Sequence, residues 1–497
     1  MSPHFLGLDV GGTVAKAAVF DEAGDEVAVA SVAMRDSHPR PGWTERDPEA
    51  MWSAAAGAIR HVLRAPGTSA ARVVALACTG HGNGVYPVDA EGMPAMPGIV
   101  SSDGRGEAIC AEFEQRPDSD ALVARFGQRF RACSMPVLLT WLDRHQPWAR
   151  ERIAHLLLCK DYLRLRLTGR LASELSDVSG CGILDLERRD YDDALLDSVG
   201  LLQWRDKLPA LLSSSAIAGC VTAPAAAVTG LIEGTPVAAG MMDVDAVTLG
   251  SGVRDGSRIA VCGGTWSINL VLSRDLRAGP YPLLQTLHRD GEFRTICEGS
   301  LTSASNLTGL LEVARQPTPD YAQINARVAA LDPEASSLVY LPFIHGADGA
   351  PKASFVGLDS TAGPAHLLRA IFEGVAFEHA RHVDEVIKLS GSAARRVRLS
   401  GGIAKSEVWA QMIADVTGMP VEVAHGQELG ALGSAICAAV ATGWQPDFTS
   451  AVDAMTRVER SYEPSHERTL IYRRKRGNHE RVRDALVPVW PGFDSRV

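Results

Sequence analysis

Apolar residues alternate with small or polar ones in Phe5–Val10 and Val14–Phe20, on either side of Gly11-Gly12-Thr13. The period of two predicts a β-hairpin, with a further strand over Glu26–Met34 after a turn at Glu22-Ala-Gly24. Asp47-Pro48-Glu49 then opens a helix running to about Leu63, because aspartate caps well and proline suits the first helical position. Val73–Cys78 is a continuous apolar run, the mark of a buried strand, and it enters the loop Gly80-His-Gly-Asn-Gly84. Pro136–His145 and Ala154–Leu167 carry helical spacing, the latter stopped by Gly169. Thr222–Val237, rich in Ala, Pro and Gly, reads as the approach to a second domain. Val237–Leu249 follows, running through Gly240-Met-Met-Asp-Val-Asp245.

The opening pattern then recurs. Ile259–Cys262, Gly263-Gly264-Thr265 and Trp266–Leu272 repeat the first hairpin about half the chain later. Ala365–Leu389 has a long apolar stripe (Leu368, Ile371, Phe372, Val375, Val383, Val386, Ile387) and closes at Gly391, as an amphipathic helix should. A strand over Arg396–Leu399, a turn at Ser400-Gly-Gly402, a helix over Ser406–Thr417 and a strand over Val421–Val423 complete the series. Two related domains follow from the repeat, with a boundary near 248/249. Glycine turns let backbone N–H groups approach an anion, so one such turn from each half could hold the phosphates of one nucleotide in a cleft between domains.

The 497 residues exceed one ordinary core, which also demands two domains. The net charge of −10 argues against a nucleic-acid partner. The basic run Arg473-Arg-Lys-Arg476 reads as a solvated helix face. Nine cysteines without a Cys-x-x-Cys pair suit a reduced, cytoplasmic protein rather than a disulfide or zinc framework. No signal peptide and no apolar stretch of spanning length is expected, hence no membrane partner. No Gly-x-x-x-x-Gly-Lys-Ser/Thr sequence occurs, which excludes the P-loop solution to phosphate binding.

An ordered set of motifs now carries a resemblance. Gly7-Leu-Asp-Val-Gly-Gly-Thr13 is followed by Gly42-Trp-Thr-Glu-Arg-Asp-Pro48, Ser102-Asp-Gly-Arg105, Lys160-Asp-Tyr-Leu163 and Leu167-Thr-Gly169. Gly240-Met-Met-Asp243, Gly264-Thr265, Ser400-Gly-Gly-Ile-Ala-Lys-Ser406 with Trp409, and Glu428-Leu-Gly-Ala-Leu-Gly-Ser-Ala435 complete it. Over nearly its whole length the chain resembles the FGGY carbohydrate kinases. It looks most like the L-xylulose and 3-keto-L-gulonate subgroup, from Ser101-Ser-Asp-Gly-Arg105, the Gly80–Gly84 loop, and Val244 after Asp243. Two departures stand out: the family's lysine before Trp141 is missing from Met135-Pro-Val-Leu-Leu-Thr-Trp141, and Ser305-Asn306 replaces a common glycine.

The resemblance implies an α/β fold of two actin-like (ribonuclease H-like) domains, each with a βββαβαβα core, and an active-site cleft between them. Residues 1–248 would bind sugar and 249–497 ATP. The implied activity is transfer of phosphate from ATP to an alcohol group of a ketopentose, sugar acid or polyol, and the subgroup implies an L-xylulose-type acceptor. D-Xylulose or erythritol kinase, a hexokinase-like aldose kinase and a non-catalytic nucleotide-binding sugar sensor are the alternatives. Asp243 is the implied general base; as a residue after an apolar run it could equally cap a helix. Asp9 would hold Mg²⁺ through water, with Asp243 nearby. Its counterpart in the second copy is Val261, so the acid is not a shared need of the hairpin. Gly11, Gly12, Thr13, Lys16, Gly264 and Thr265 would face the phosphates, and Ser305, Gly401, Gly402 and Ser406 the rest of ATP. His81, Gly82, Asp103, Arg105 and Glu45 are the sugar candidates beside Asp243, although Arg105 could simply pair with Asp103. Gly430 and Gly433 read as close-packing glycines. A homodimer is common in the family, and no feature of this sequence demands one.

Overall fold

The computed structural model describes residues 2–275, 282–315, 319–344, 346 and 352–489. They form two compact units. The first comprises Met1–Arg254, Leu272–Ile296 and Gly426–Arg457; the second comprises Asp255–Val271, Cys297–His425 and Val458–Val497.

The first unit is built on a six-stranded sheet. Its order is Ile217–Cys220, Pro236–Ala238, Val73–Gly80, His4–Val10, Val14–Phe20, Glu26–Ala33. His4–Val10 is antiparallel to Val14–Phe20 and parallel to Val73–Gly80, which is parallel to Pro236–Ala238. The predicted approach segment Thr222–Val237 therefore supplies a helix, Ala223–Thr229, and an inner strand of this sheet.

The alternation along His4–Val10 has two destinations. Leu6, Leu8 and Val10 are fully buried in a core with Met51, Ala55 and Ile59 of the helix Pro48–Val62. Gly7 and Asp9 point to the other face, where the helix Leu429–Ala441 lies. A Cβ on Gly7 would overlap the carbonyl oxygen of Ala431, so only glycine admits the helix at that height.

The second unit repeats the arrangement. Ile259–Gly263 is antiparallel to Ser267–Ser273 and parallel to Val397–Ser400. That strand is parallel to Val421–Ala424, which ends antiparallel to Val458–Tyr462. Phe293–Ser300 lies beside Ser267–Ser273, in the place Glu26–Ala33 takes in the first unit. Here Val261 sits fully buried in a core with Phe372, Val375 and Ile413, which is why this copy carries valine where the first carries Asp9.

Most predicted elements form within a residue or two of the expected ends. The helix Pro48–Val62 takes its cap from Asp47, and Pro364–Ser390 ends at Gly391 in the left-handed conformation. One expectation needs correction. Ala154–Leu167 is not a single helix: His155–Leu157 is a strand paired with Tyr86–Val88, and the helix is Cys159–Thr168. Sheet pairing overrides the local helical period there.

Candidate active site

Asp243 is the first residue of the helix Asp243–Gly250, and the three residues before it are clamped. Gly240 has φ 73°, and a Cβ there would overlap the carbonyl of Cys78. The Thr79 hydroxyl donates to Met241 O at 2.7 Å. The Met242 N–H donates to Ser176 Oγ at 2.9 Å, and that hydroxyl donates to Glu174 Oε2 at 2.7 Å. The Asp243 carboxylate accepts the N–H groups of Val244, at 2.8 Å, and Gly82. Burial raises its pKa to about 7, with a further push from the charge of Asp9; the two N–H bonds act the other way.

Asp9, next to last in its strand, lies across from Lys16, with Oδ2 against Gly430 at the start of the helix Leu429–Ala441. Burial raises Asp9 to about 6; Lys16 draws it down and Glu428 pushes it up. Lys16 Nζ pairs with Glu428 Oε2 at 2.9 Å, so its charge is shared with the residue that precedes this helix.

The first glycine turn is fixed from behind by Arg46, a residue inside a quoted motif whose reach spacing does not reveal. Its guanidinium is almost wholly buried and donates to Gly11 O at 3.0 Å and to Gly12 O. It is held in turn by Asp36, at 2.7 and 3.0 Å. Burial pulls Arg46 down, and Asp36 more than restores it. A Cβ on Gly11 or Gly12 would meet nothing, and Gly12 and Thr13 are exposed, so this turn has open space over it. Such a turn can take an anion.

In the second unit the matching turn is tied down differently. Thr265 O accepts the Ser303 N–H at 3.0 Å and the Ser305 hydroxyl at 2.8 Å, and Gly264 O accepts the Ala304 N–H at 3.0 Å. Ser303 Oγ also bonds His379 Nε2 at 2.7 Å. Burial lowers His379 to about 4, so it is neutral at physiological pH. Gly264 is open above, as Gly11 and Gly12 are. Gly401 has φ 79° and backs directly onto Gly263, which explains its identity by close packing. Ser406 caps the helix Glu407–Thr417 through the Trp409 N–H at 3.1 Å, and donates to Asn325 Oδ1 at 2.7 Å. Its hydroxyl is thus occupied within the protein. Gly402 stands in the short turn between these two residues.

The sugar candidates divide. His81 is buried, with Nε2 bonded to the Tyr86 hydroxyl at 2.8 Å, and burial lowers it to about 4. A Cβ on Gly82 would overlap the Met242 side chain, so this glycine lets the loop close on the Asp243 segment. Asp103 spends both oxygens inside the protein. Oδ2 accepts from the Thr44 N–H at 2.6 Å, and both oxygens accept from Arg105. Arg105 reaches Glu45 at 2.8 Å and stacks over Trp43 at 4.1 Å, yet its Nη1 meets no protein partner. Asp245 is fully buried and accepts the hydroxyls of Thr286 at 2.9 Å and Thr295 at 2.5 Å. It braces the helix from inside, while Asp243 is only half-buried.

Among the described residues no group of three or more His, Cys, Asp or Glu side chains is placed to hold a metal. The two carboxylates Asp9 and Asp243 nevertheless suit a hard cation that keeps much of its water. Each is pushed up by burial and a neighbouring carboxylate, a strain that a divalent charge would relieve. Among the described residues no helix is long and apolar enough to cross a membrane.

Residues 4–250 match the N-terminal domain of the FGGY family of carbohydrate kinases, and residues 259–442 match its C-terminal domain. The chain is 32% identical to the L-xylulose/3-keto-L-gulonate kinase of Escherichia coli K12, over 100% of this chain and 99% of that protein. It is 30% identical to the xylulose kinase of the same strain, over 98% and 99%. The solved xylulose kinase of Rhodospirillum rubrum superposes with a TM-score of 0.87 at 27% identity, over 98% and 99% of the two chains.

Proposed function

The chain belongs to the FGGY family of carbohydrate kinases and is a phosphotransferase acting on a sugar hydroxyl, with ATP as donor; on that footing we propose that its acceptor is an L-xylulose-type ketopentose or a related sugar acid. In this reading residues 1–248 supply the acceptor site and 249–497 bind ATP. Asp243 carries the reading: a carboxylate with its pKa near 7, held by two backbone N–H groups, is poised to exchange a proton at neutral pH.

Asp243 takes the proton of the acceptor hydroxyl as that oxygen attacks the γ-phosphorus, and ADP departs. Phosphoryl transfer is otherwise a matter of position and charge. Gly11, Gly12 and Thr13 offer backbone N–H groups to phosphate, with Arg46 holding the carbonyls of both glycines, and Gly264 and Thr265 present a matching turn. Lys16 adds positive charge beside the first turn, tempered by Glu428. Ser305, Gly401, Gly402 and Ser406 shape the remainder of the nucleotide site through the backbone, since both serine hydroxyls are engaged internally. Mg²⁺, held by Asp9 through water with Asp243 beside it, would neutralise phosphate charge. His81 and Gly82 form the floor under the acceptor, and Arg105, oriented by Asp103, offers Nη1 to it. A cytoplasmic enzyme is in keeping with nine cysteines that form no disulfide.

The test is ADP release with Mg-ATP across pentuloses, pentitols, tetritols, hexonates and aldohexoses. An L-ketose or sugar acid should exceed the other acceptors in kcat/KM by at least about tenfold. A D-xylulose, erythritol or aldose preference would overturn the assignment of acceptor. ATP binding with no acceptor turned over would favour a sensor.

A further inference from the structure

Beside the acceptor loop is a group of buried polar atoms that no protein group meets. Nε and Nη2 of Arg131, Nη1 of Arg105, Oδ1 of Asn83 and Oε1 of Gln128 are shielded from solvent and make no hydrogen bond. The segments that bear them are bound together. The Gly84 N–H donates to Cys133 O at 3.1 Å, and the Ser134 N–H to Arg131 O at 2.9 Å. A Cβ on Gly106, next to Arg105, would overlap the carbonyl oxygen of Ala132, next to Arg131. Gln128 Nε2 donates to Ser179 O at 2.6 Å. The Asn83 N–H bonds the Cys181 sulfur, and the charge of Arg131 reaches both Cys181 and Cys133. Asn83 adjoins Gly82, whose N–H holds the Asp243 carboxylate.

Asp177, whose charge also reaches Cys181, is engaged by Lys160 at 3.2 Å. Arg105 is offset by Asp103 and Glu45. Arg131, itself half-buried, has no ion-pair partner among the described residues, and its two shielded nitrogens are costly to leave without one. Its two unmet nitrogens, Nε and Nη2, form the edge of the fork that meets a carboxylate through two parallel hydrogen bonds. Asn83 and Gln128 offer oxygens, which suit hydroxyl donors.

We propose that Arg131, with Nη1 of Arg105, binds the carboxylate of the acceptor, and that the preferred acceptor is a sugar acid, an aldonate or ketoaldonate. Asn83 and Gln128 take its hydroxyls. This rests on the reading of Asp243 as the base at the acceptor site.

The experiment measures kcat/KM for hexonates and ketohexonates against neutral pentuloses, together with thermal shifts from a hexonate without ATP. Wild type, Arg131→Met and Arg131→Lys are compared. The acid-to-neutral ratio of kcat/KM should fall on the order of 10²-fold in Arg131→Met and less in Arg131→Lys, which retains charge without the fork. The hexonate should raise the Tm of wild type and not that of Arg131→Met. An unchanged ratio, or a neutral pentulose outdoing every acid in wild type, would overturn the proposal. Failure of every acceptor to raise ADP release would sink the kinase site itself, and the hexonate thermal shift would still decide the carboxylate contact.

Discussion

The proton chemistry of Asp243 is set by burial first and by Asp9 second, and this fixes the sign of its pH dependence. As a base it works when deprotonated, so kcat/KM should fall as pH drops below about 7. Asp9→Asn removes the neighbouring negative charge, and the acid limb of its remaining activity should move to lower pH. Superimposable limbs in the two pH profiles would contradict the coupling. Arg46 gives a second test at this scale. Arg46→Met deprives both glycine carbonyls and Asp36 of a charged donor, with an expected loss of about 2–3 kcal/mol in stability. The KM for ATP should rise roughly tenfold if about 1.4 kcal/mol of phosphate binding depends on the held turn. Arg46→Lys should restore little, because the guanidinium serves two carbonyls and a carboxylate at once. Urea denaturation and ATP titration would check both expectations.

The helix Leu429–Ala441 shows how a single element places the site. Gly7 of the neighbouring strand admits it, its own Gly433 backs onto the Ala246 carbonyl, and Gly430 leaves room for Asp9 Oδ2. Gly433→Ala should therefore destabilise by about 1–3 kcal/mol through overpacking, and cost activity because Ala246 belongs to the helix that starts at Asp243. A Tm and kcat both equal to wild type would refute this. Much at this scale was legible in the sequence. The hairpins showed in alternation around the glycines, and the helices ended where Gly169, Gly391 and Gly418 take the left-handed conformation. Gly430 and Gly433 were readable as packing glycines, although not which backbone they meet. What escaped depended on distant partners. The strand His155–Leu157 exists because Tyr86–Val88 pairs with it, and Arg46 acts on carbonyls more than thirty residues earlier in the chain. The unmet atoms of Arg131 and Arg105 likewise have no signature in spacing.

At the scale of the whole molecule, the order of the central strands in the first sheet recurs in the second, and the copies diverge at Asp9 and Val261, where one needs an acid and the other a core side chain. The first unit bears the cost of that acid. A carboxylate whose folded pKa lies above its unfolded value, about 4, binds protons more tightly when folded. Its favourable contribution is complete below pH 4 and is lost as pH rises through about 6 for Asp9 and about 7 for Asp243. Asp9→Asn/Asp243→Asn should accordingly melt above wild type at pH 8, and the margin should close by pH 4. Thermal scans at the two pH values measure it, and a margin independent of pH would be evidence against buried, strained carboxylates. The most direct test of the whole account is turnover by Asp243→Asn with Mg-ATP and the best acceptor, with ATP affinity measured alongside. The account predicts ATP affinity near wild type and turnover lower on the order of 10²-fold or more. Turnover close to wild type would contradict it.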